Sequence, residues 1–225
     1  MPTRQRSSRQ RSVSRTEFTI LAVGLIAAVV AGIVAYDRVG LYGDGAFTIG
    51  YHRIRDPETG KSLLVHEMRT AEGVVLRRVI DGRRLTEIQV ADPEGKGEAR
   101  ARISGTTVTR VDRDRDGDGR TDSWEYYDPA QQLVKTGFSL AGDGVLDAWA
   151  YRDAEGQLIR IEVATRRDDK IDRWEYYEKG QLARVEEDAD RNGRVDRWLA
   201  YDAGILMSTA VDANGDGRPD APPVP

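Results

Sequence analysis

All four tryptophans of the chain fall in register, at Trp124, Trp149, Trp174 and Trp198, separated by 25, 25 and 24 residues. A period of that size marks a repeat architecture, in which each small unit buries its apolar face only by stacking on its neighbours. An Asp stands two residues before each ring, as Asp122, Asp147, Asp172 and Asp196, and Asp220 continues the series. Leu133, Leu158, Leu182 and Leu206 follow at matching intervals, the last three placed two residues after Gly156, Gly180 and Gly204. One unit therefore reads loop, strand, turn, strand. The third unit is the clearest, with Arg173-Trp174-Glu175-Tyr176-Tyr177, then Glu178-Lys179-Gly180, then Gln181 to Glu186. Aromatic and β-branched residues around a short Gly-bearing turn predict a hairpin, and the alternation of Ile159, Ile161 and Val163 predicts a sheet with one apolar face.

The stretch before the tryptophans carries the same pattern in eroded form. Apolar runs at Ser62 to Met68, Val74 to Ile80, Leu85 to Val90, Ala101 to Ile103 and Thr106 to Val111 are separated by turn signals such as Glu72-Gly73 and Asp81-Gly82. The fold class expected is all-β: an antiparallel β-hairpin repeat array, as a single-layer meander or a solenoid, following one N-terminal transmembrane helix. Its parts are a basic tail at 1–17, an anchor or signal at 18–36, a spacer at 37–61, degenerate hairpins at 62–111, loop-and-hairpin repeats at 112–220 and a tail at 221–225.

The anchor rests on Phe18 to Tyr36, a run of 19 residues without a charge behind Arg4, Arg6, Arg9, Arg11 and Arg15. As a helix it would rise about 28 Å, close to the ~30 Å hydrocarbon core. That length favours an uncleaved anchor over a signal peptide, whose apolar region is about 7–15 residues, although Ala31 and Ala35 leave room for cleavage and secretion. The five arginines place the tail in the cytoplasm and the body in the periplasm or outside the cell. The formal charge of −4 divides into +4 for the first 36 residues (five Arg, one Glu) and −8 for the rest. An acidic body argues against nucleic acid, which needs a basic face to displace counterions, and points to cations. With no cysteine, disulfides, thiolate metal sites and a lipidated cysteine are all excluded.

The loops before the hairpins carry the chemistry. Asp114-Arg115-Asp116-Gly117-Asp118-Gly119-Arg120-Thr121-Asp122-Ser123-Trp124-Glu125 places oxygen ligands at positions 1, 3 and 5, Gly at 6, a carbonyl at 7 (Arg120), Asp at 9 and Glu at 12. Calcium takes six to eight hard oxygen ligands, and alternate residues of a tight loop direct them to one centre. Asp188, Asp190, Asn192, Arg194 and Asp196 repeat positions 1 to 9 but have Leu199 at 12; Asp212, Asn214, Asp216, Arg218 and Asp220 do likewise, with Pro223 at 12. By ligand count the Asp114 loop is the strongest of the three. Loops two and three have lost ligands, with Ser139, Ala141 and Asp143, then Ala164, Arg166 and Asp168 at positions 1, 3 and 5, and no metal is expected there. The competing explanation for all five is that Asp and Gly simply build Asx-type turns.

In this pattern the chain resembles the calcium loops of EF-hand, dockerin and thrombospondin type 3 proteins, over about nine to twelve residues per loop. The resemblance implies Ca2+ ligands at positions 1, 3, 5, 7 and 9, and at 12 only for Glu125. It does not extend to the fold, since these loops run into Trp-Glu-Tyr-Tyr rather than into a helix. The hairpin half, with Trp-x-Tyr-Tyr and Gly-Gln-Leu, resembles MORN-type and YD-type β-repeats.

His52 and His66 are isolated, and no base–nucleophile pair or phosphate-cradling loop can be named, so no enzyme is expected. The function expected is an envelope-associated scaffold that binds a protein or glycan partner, with calcium in a structural role. A carbohydrate-binding module using the Trp row is the alternative, and an accessory domain of an enzyme a lower one.

Overall fold

The structure is a computed structural model and describes residues 47–56, 59–70, 74–91 and 97–220. The basic tail, the anchor and the C-terminal tail lie outside the described residues. The described residues form one sheet of 14 strands in sequence order, every neighbour antiparallel. It is a meander with open edges at its first and last strands.

The strands are β1 (Phe47–Arg55), β2 (Ser62–Thr70), β3 (Val75–Asp81), β4 (Arg84–Ala91), β5 (Glu98–Ser104), β6 (Thr107–Asp114), β7 (Ser123–Tyr127), β8 (Leu133–Phe138), β9 (Ala148–Arg152), β10 (Leu158–Val163), β11 (Arg173–Glu178), β12 (Gln181–Glu187), β13 (Arg197–Asp202) and β14 (Ile205–Val211). The degenerate region at 62–111 thus forms hairpins of the same kind as the clear repeats. The expected spacer does not run to residue 61, because Phe47–Arg55 pairs along its whole length with β2, from Phe47↔Thr70 to Arg55↔Ser62. A weak pattern with Gly50, His52 and Arg53 becomes a strand because the ladder beside it supplies the hydrogen bonds.

Each hairpin from β3–β4 to β13–β14 has a register shift near its short turn, for example between Tyr126 and Tyr127 and between Tyr176 and Tyr177. The pairings that join one hairpin to the next, such as β6 with β7 and β12 with β13, have none. The bulges add twist at one edge of the sheet and leave the long loops at the other in regular register. The two-residue turns Lys179-Gly180 and Ala203-Gly204 have both φ angles positive, the conformation that matches strand twist in a tight hairpin.

Register sorts the side chains into two unlike faces. On one, a row runs Asp112, Trp124, Gly137, Trp149, Glu162, Trp174, Glu186, Trp198, Ala210. Beside it runs Arg110, Tyr126, Lys135, Tyr151, Arg160, Tyr176, Arg184. Aromatic rings occupy the odd strands, and small or charged residues the even ones. Cations lie over the rings, with Lys135 4.7 Å from the Tyr126 centroid and 4.3 Å from that of Trp149. Arg160 lies 4.5 Å from the Tyr151 centroid and Arg184 4.2 Å from that of Tyr176. Tyr151 and Tyr176 donate to Glu162 and Glu186 at 2.8 and 3.0 Å. The four tryptophans are half-buried, and the most enclosed apolar residues are aliphatic ones such as Val65, Ile88, Ala101, Val111 and Val185.

The opposite face carries ion pairs. Arg113 donates twice to Glu125, Nε to Oε1 at 2.9 Å and Nη2 to Oε2 at 3.0 Å, and Tyr127 donates to Oε2 at 2.8 Å. Arg173 bridges Glu175 and Glu187, Arg197 also reaches Glu187, and Tyr177 donates to Glu175 at 2.8 Å. Burial first, and then Glu175, push the Tyr177 hydroxyl from 10.0 up to about 12.

Two outcomes follow from this packing. A Cβ at Gly137 would lie 2.6 Å from a Leu146 methyl and 3.1 and 3.3 Å from the Trp149 and Trp124 rings. Gly137→Val should therefore cost about 1–3 kcal/mol in a urea melt. Because Tyr177 is raised in the folded state, its stabilising contribution is complete below pH 10.0 and is lost as pH climbs toward about 12. Melts across that window should show a fall in stability that Tyr177→Phe reduces.

Candidate metal centre

The five Asp/Gly loops lie along one edge of the sheet, on the side opposite the short turns. Their common fastener is the Asp at position 9. Its N–H donates to the last strand before the loop: Asp122 to Arg113, Asp147 to Phe138, Asp172 to Val163, Asp196 to Glu187 and Asp220 to Val211, at 2.7 to 3.1 Å. Its carbonyl accepts the first N–H of the next loop in four cases, from Ser139, Ala164, Asp188 and Asp212 at 2.8 to 2.9 Å. Its carboxylate then accepts an N–H from its own loop, Arg115 to Asp122 at 2.6 Å, Leu140 to Asp147 at 2.9 Å, Thr165 to Asp172 at 2.8 Å, Asp190 to Asp196 at 2.9 Å and Ala213 to Asp220 at 2.5 Å. Every Asp of the series therefore has a turn role, including Asp122 and Asp196.

Position 5 behaves in the same way. Asp118, Asp143, Asp168, Asn192 and Asp216 each accept the N–H of position 7: Arg120, Val145, Lys170, Arg194 and Arg218. Position 4 has a positive φ in every loop, at Gly117, Gly142, Arg167, Arg191 and Gly215, and so does position 6, including Asp169 at 61°. One backbone shape is therefore kept whether or not the ligand residues are.

Convergence of carboxylates separates the loops. In the first, Asp114, Asp116 and Asp122 each offer an oxygen within 4.8 Å of the others, and in the fourth, Asp188, Asp190 and Asp196 do the same. Asp212, Asp216 and Asp220 form no such group among the described residues. Glu125 does not join the first group: as the third residue of β7 it points to the ion-pair face, held by Arg113 and Tyr127. Period 2 in a strand, not the loop's own curvature, sets its direction.

The charge of each loop is met differently. Asp114 Oδ1 and Oδ2 accept the N–H groups of Gly117 and Gly119 at 2.7 and 2.9 Å. Asp212 is held by Gly215 at 2.7 Å and Gly217 at 2.6 Å, and although burial works to raise its carboxyl, the N–H groups of the loop overcome this and keep it below its ordinary value. In the second loop the cation is a side chain. Arg167, from the third loop, pairs with Asp143 and reaches Asp147 Oδ1 at 3.4 Å, where Asp147 is only 1% exposed. The Val145 N–H, with Ser139 and Arg167, holds the Asp143 carboxyl low. Sequence inspection passes over Arg167; its one signal is an Arg at position 4, one repeat after a loop with two acids.

No protein family matches the chain, and no curated protein does. Two solved structures of TarM overlap it. One, of S. aureus TarM in complex with Fondaparinux, alpha-GlcNAc-glycerol and UDP, is 10% identical over 46% of this chain and 20% of that one, at a TM-score of 0.38. The other is 8% identical with the same coverage and TM-score. At that score the overlap carries no argument about this chain.

Arg167→Ala leaves Asp147 buried without its cation. It should cost about 1–2 kcal/mol in a urea melt, less than a fully enclosed pair because the guanidinium is 44% exposed. The neighbouring exposed Arg166→Ala should stay within about 0.5 kcal/mol of wild type.

Proposed function

We propose that the chain is a calcium-binding, membrane-anchored extracytoplasmic repeat scaffold for a protein or glycan partner, with calcium in a structural role. The observation that carries this reading is the gathering of three carboxylates in each of two loops on one edge of the sheet. Like charges so close repel, and a hard divalent cation turns that repulsion into attraction. The anchor belongs to the proposal through the uncharged run Phe18 to Tyr36 and its arginine flank.

The tyrosine row beside the tryptophans, together with Trp149, favours the scaffold over the carbohydrate module. Sugar stacking needs free ring faces, and Tyr126, Tyr151, Tyr176 and Trp149 each have a Lys or Arg over the ring. A row that alternates rings with cations and acids suits recognition of a charged protein or acidic glycan through its rim, with the rings as support.

Calcium that binds only the folded state stabilises it by RT ln(1 + [L]/Kd), about 1.4 kcal/mol at ten times Kd, or roughly 3–6 °C for a chain of this size. Full-length protein in detergent micelles should show saturable binding by calorimetry and a midpoint raised by that amount over EDTA. The double variant Asp114→Asn/Asp188→Asn should lose the increment. A melting curve indifferent to calcium at about 10 mM, roughly ten times the weak end of the range for extracellular loops, would leave the loops as turns alone.

A further inference from the structure

We infer that the primary calcium site is the fourth loop, built on Asp188, Asp190 and Asp196, and not the first, which has the fuller ligand sequence. This rests on the reading that the acidic loops take calcium. It assigns that binding to one place for a reason that ligand counting does not supply.

Asp188 is 8% exposed, and its Oδ1 is enclosed with no hydrogen-bond partner. Its Oδ2 accepts the Gly193 N–H at 2.9 Å. In the first and fifth loops the equivalent carboxylates have donors on both oxygens, and the extra donor comes from position 4, Gly117 or Gly215 at 2.7 Å. In the fourth loop position 4 is Arg191, with φ at 67°, and its N–H makes no such bond to Asp188. A buried carboxylate oxygen left without a donor is costly, since it has given up water and gained nothing.

The same carboxylate belongs to the group in which Asp188, Asp190 and Asp196 bring one oxygen each within 4.8 Å. Asp190 accepts both the N–H and the side-chain amide of Asn192, and Asp196 accepts the Asp190 N–H, so the carboxylates are held in place before any ion arrives. Three carboxylates and a side-chain amide oxygen at Asn192 make an all-oxygen set suited to calcium. Elsewhere the charge is met without an ion: in the second loop by Arg167 of the third, in the first and fifth by their own backbone N–H groups. Only the fourth retains an unmet acceptor among the five first-position residues of the described loops.

The test uses full-length protein in detergent micelles, with calcium for calorimetry and terbium as its luminescent stand-in. Trp198 lies two residues beyond Asp196 and Trp124 two beyond Asp122, so each loop has its own sensitiser. Trp198→Phe should abolish most of the sensitised emission from the first equivalent of terbium, whereas Trp124→Phe should leave it. Asp188→Asn keeps an oxygen for Gly193. It should weaken first-site calcium binding by about tenfold or more through loss of a ligand charge, and it should raise the melting midpoint in EDTA by removing the unmet buried charge. A purely structural Asp188 would give the opposite sign in EDTA. Emission that follows Trp124, or first-site binding lost in Asp114→Asn and kept in Asp188→Asn, overturns this assignment and leaves the calcium reading standing. Absence of any calcium or terbium binding in the wild type overturns both.

Discussion

The structure depends on one carboxylate per repeat. The Asp at position 9 continues the ladder through its N–H, ties its loop to the next through its carbonyl, and closes its own loop through its side chain. Loops of about nine residues would otherwise bring adjacent hairpins together at a cost in chain entropy that a single thin sheet cannot easily meet. With the clamp in place, the hairpin-to-hairpin pairings run without a register shift, and the irregularities gather at the short turns.

Among the described residues the sheet is a single layer and finds its burial without a second one. Here the enclosed apolar residues are aliphatic, such as Ala101, Ala150 and Val185. They share their face with Arg–Glu pairs closed by tyrosine hydroxyls, while the opposite face carries rings capped by cations. Such pairs add modest energy singly, but in rows each charge serves two partners, as Glu187 does for Arg173 and Arg197. The chain can therefore be rich in charge and still ordered.

The loops on the edge share one backbone shape and differ in how their negative charge is met. A guanidinium serves the second loop and N–H groups serve the first and fifth, while the fourth keeps a buried oxygen unmet. A family of loops with one shape and several charge solutions is what gradual change in a repeat produces, because shape is enforced by neighbours on both sides whereas charge is a local matter.

The sequence by itself determined the repeat, its period, the alternation of loop and hairpin and the all-β class, because these depend on local pattern: Trp spacing, Gly at turns and strand alternation are all read within a few residues. It also marked Asp114, Asp116, Asp122, Asp188, Asp190 and Asp196 as acids of one loop type, which the structure gathers into two groups. Only the tertiary structure decided where Glu125 points, since twelve residues of loop pattern extend into a strand whose register with Arg113 overrides them. It alone made a strand of Phe47–Arg55, whose partner lies across a turn, and placed Arg167 on acids of the preceding repeat. It alone distinguished Asp188 from Asp114 and Asp212, because a hydrogen bond present or missing at position 4 is a property of backbone geometry in place, not of residue type.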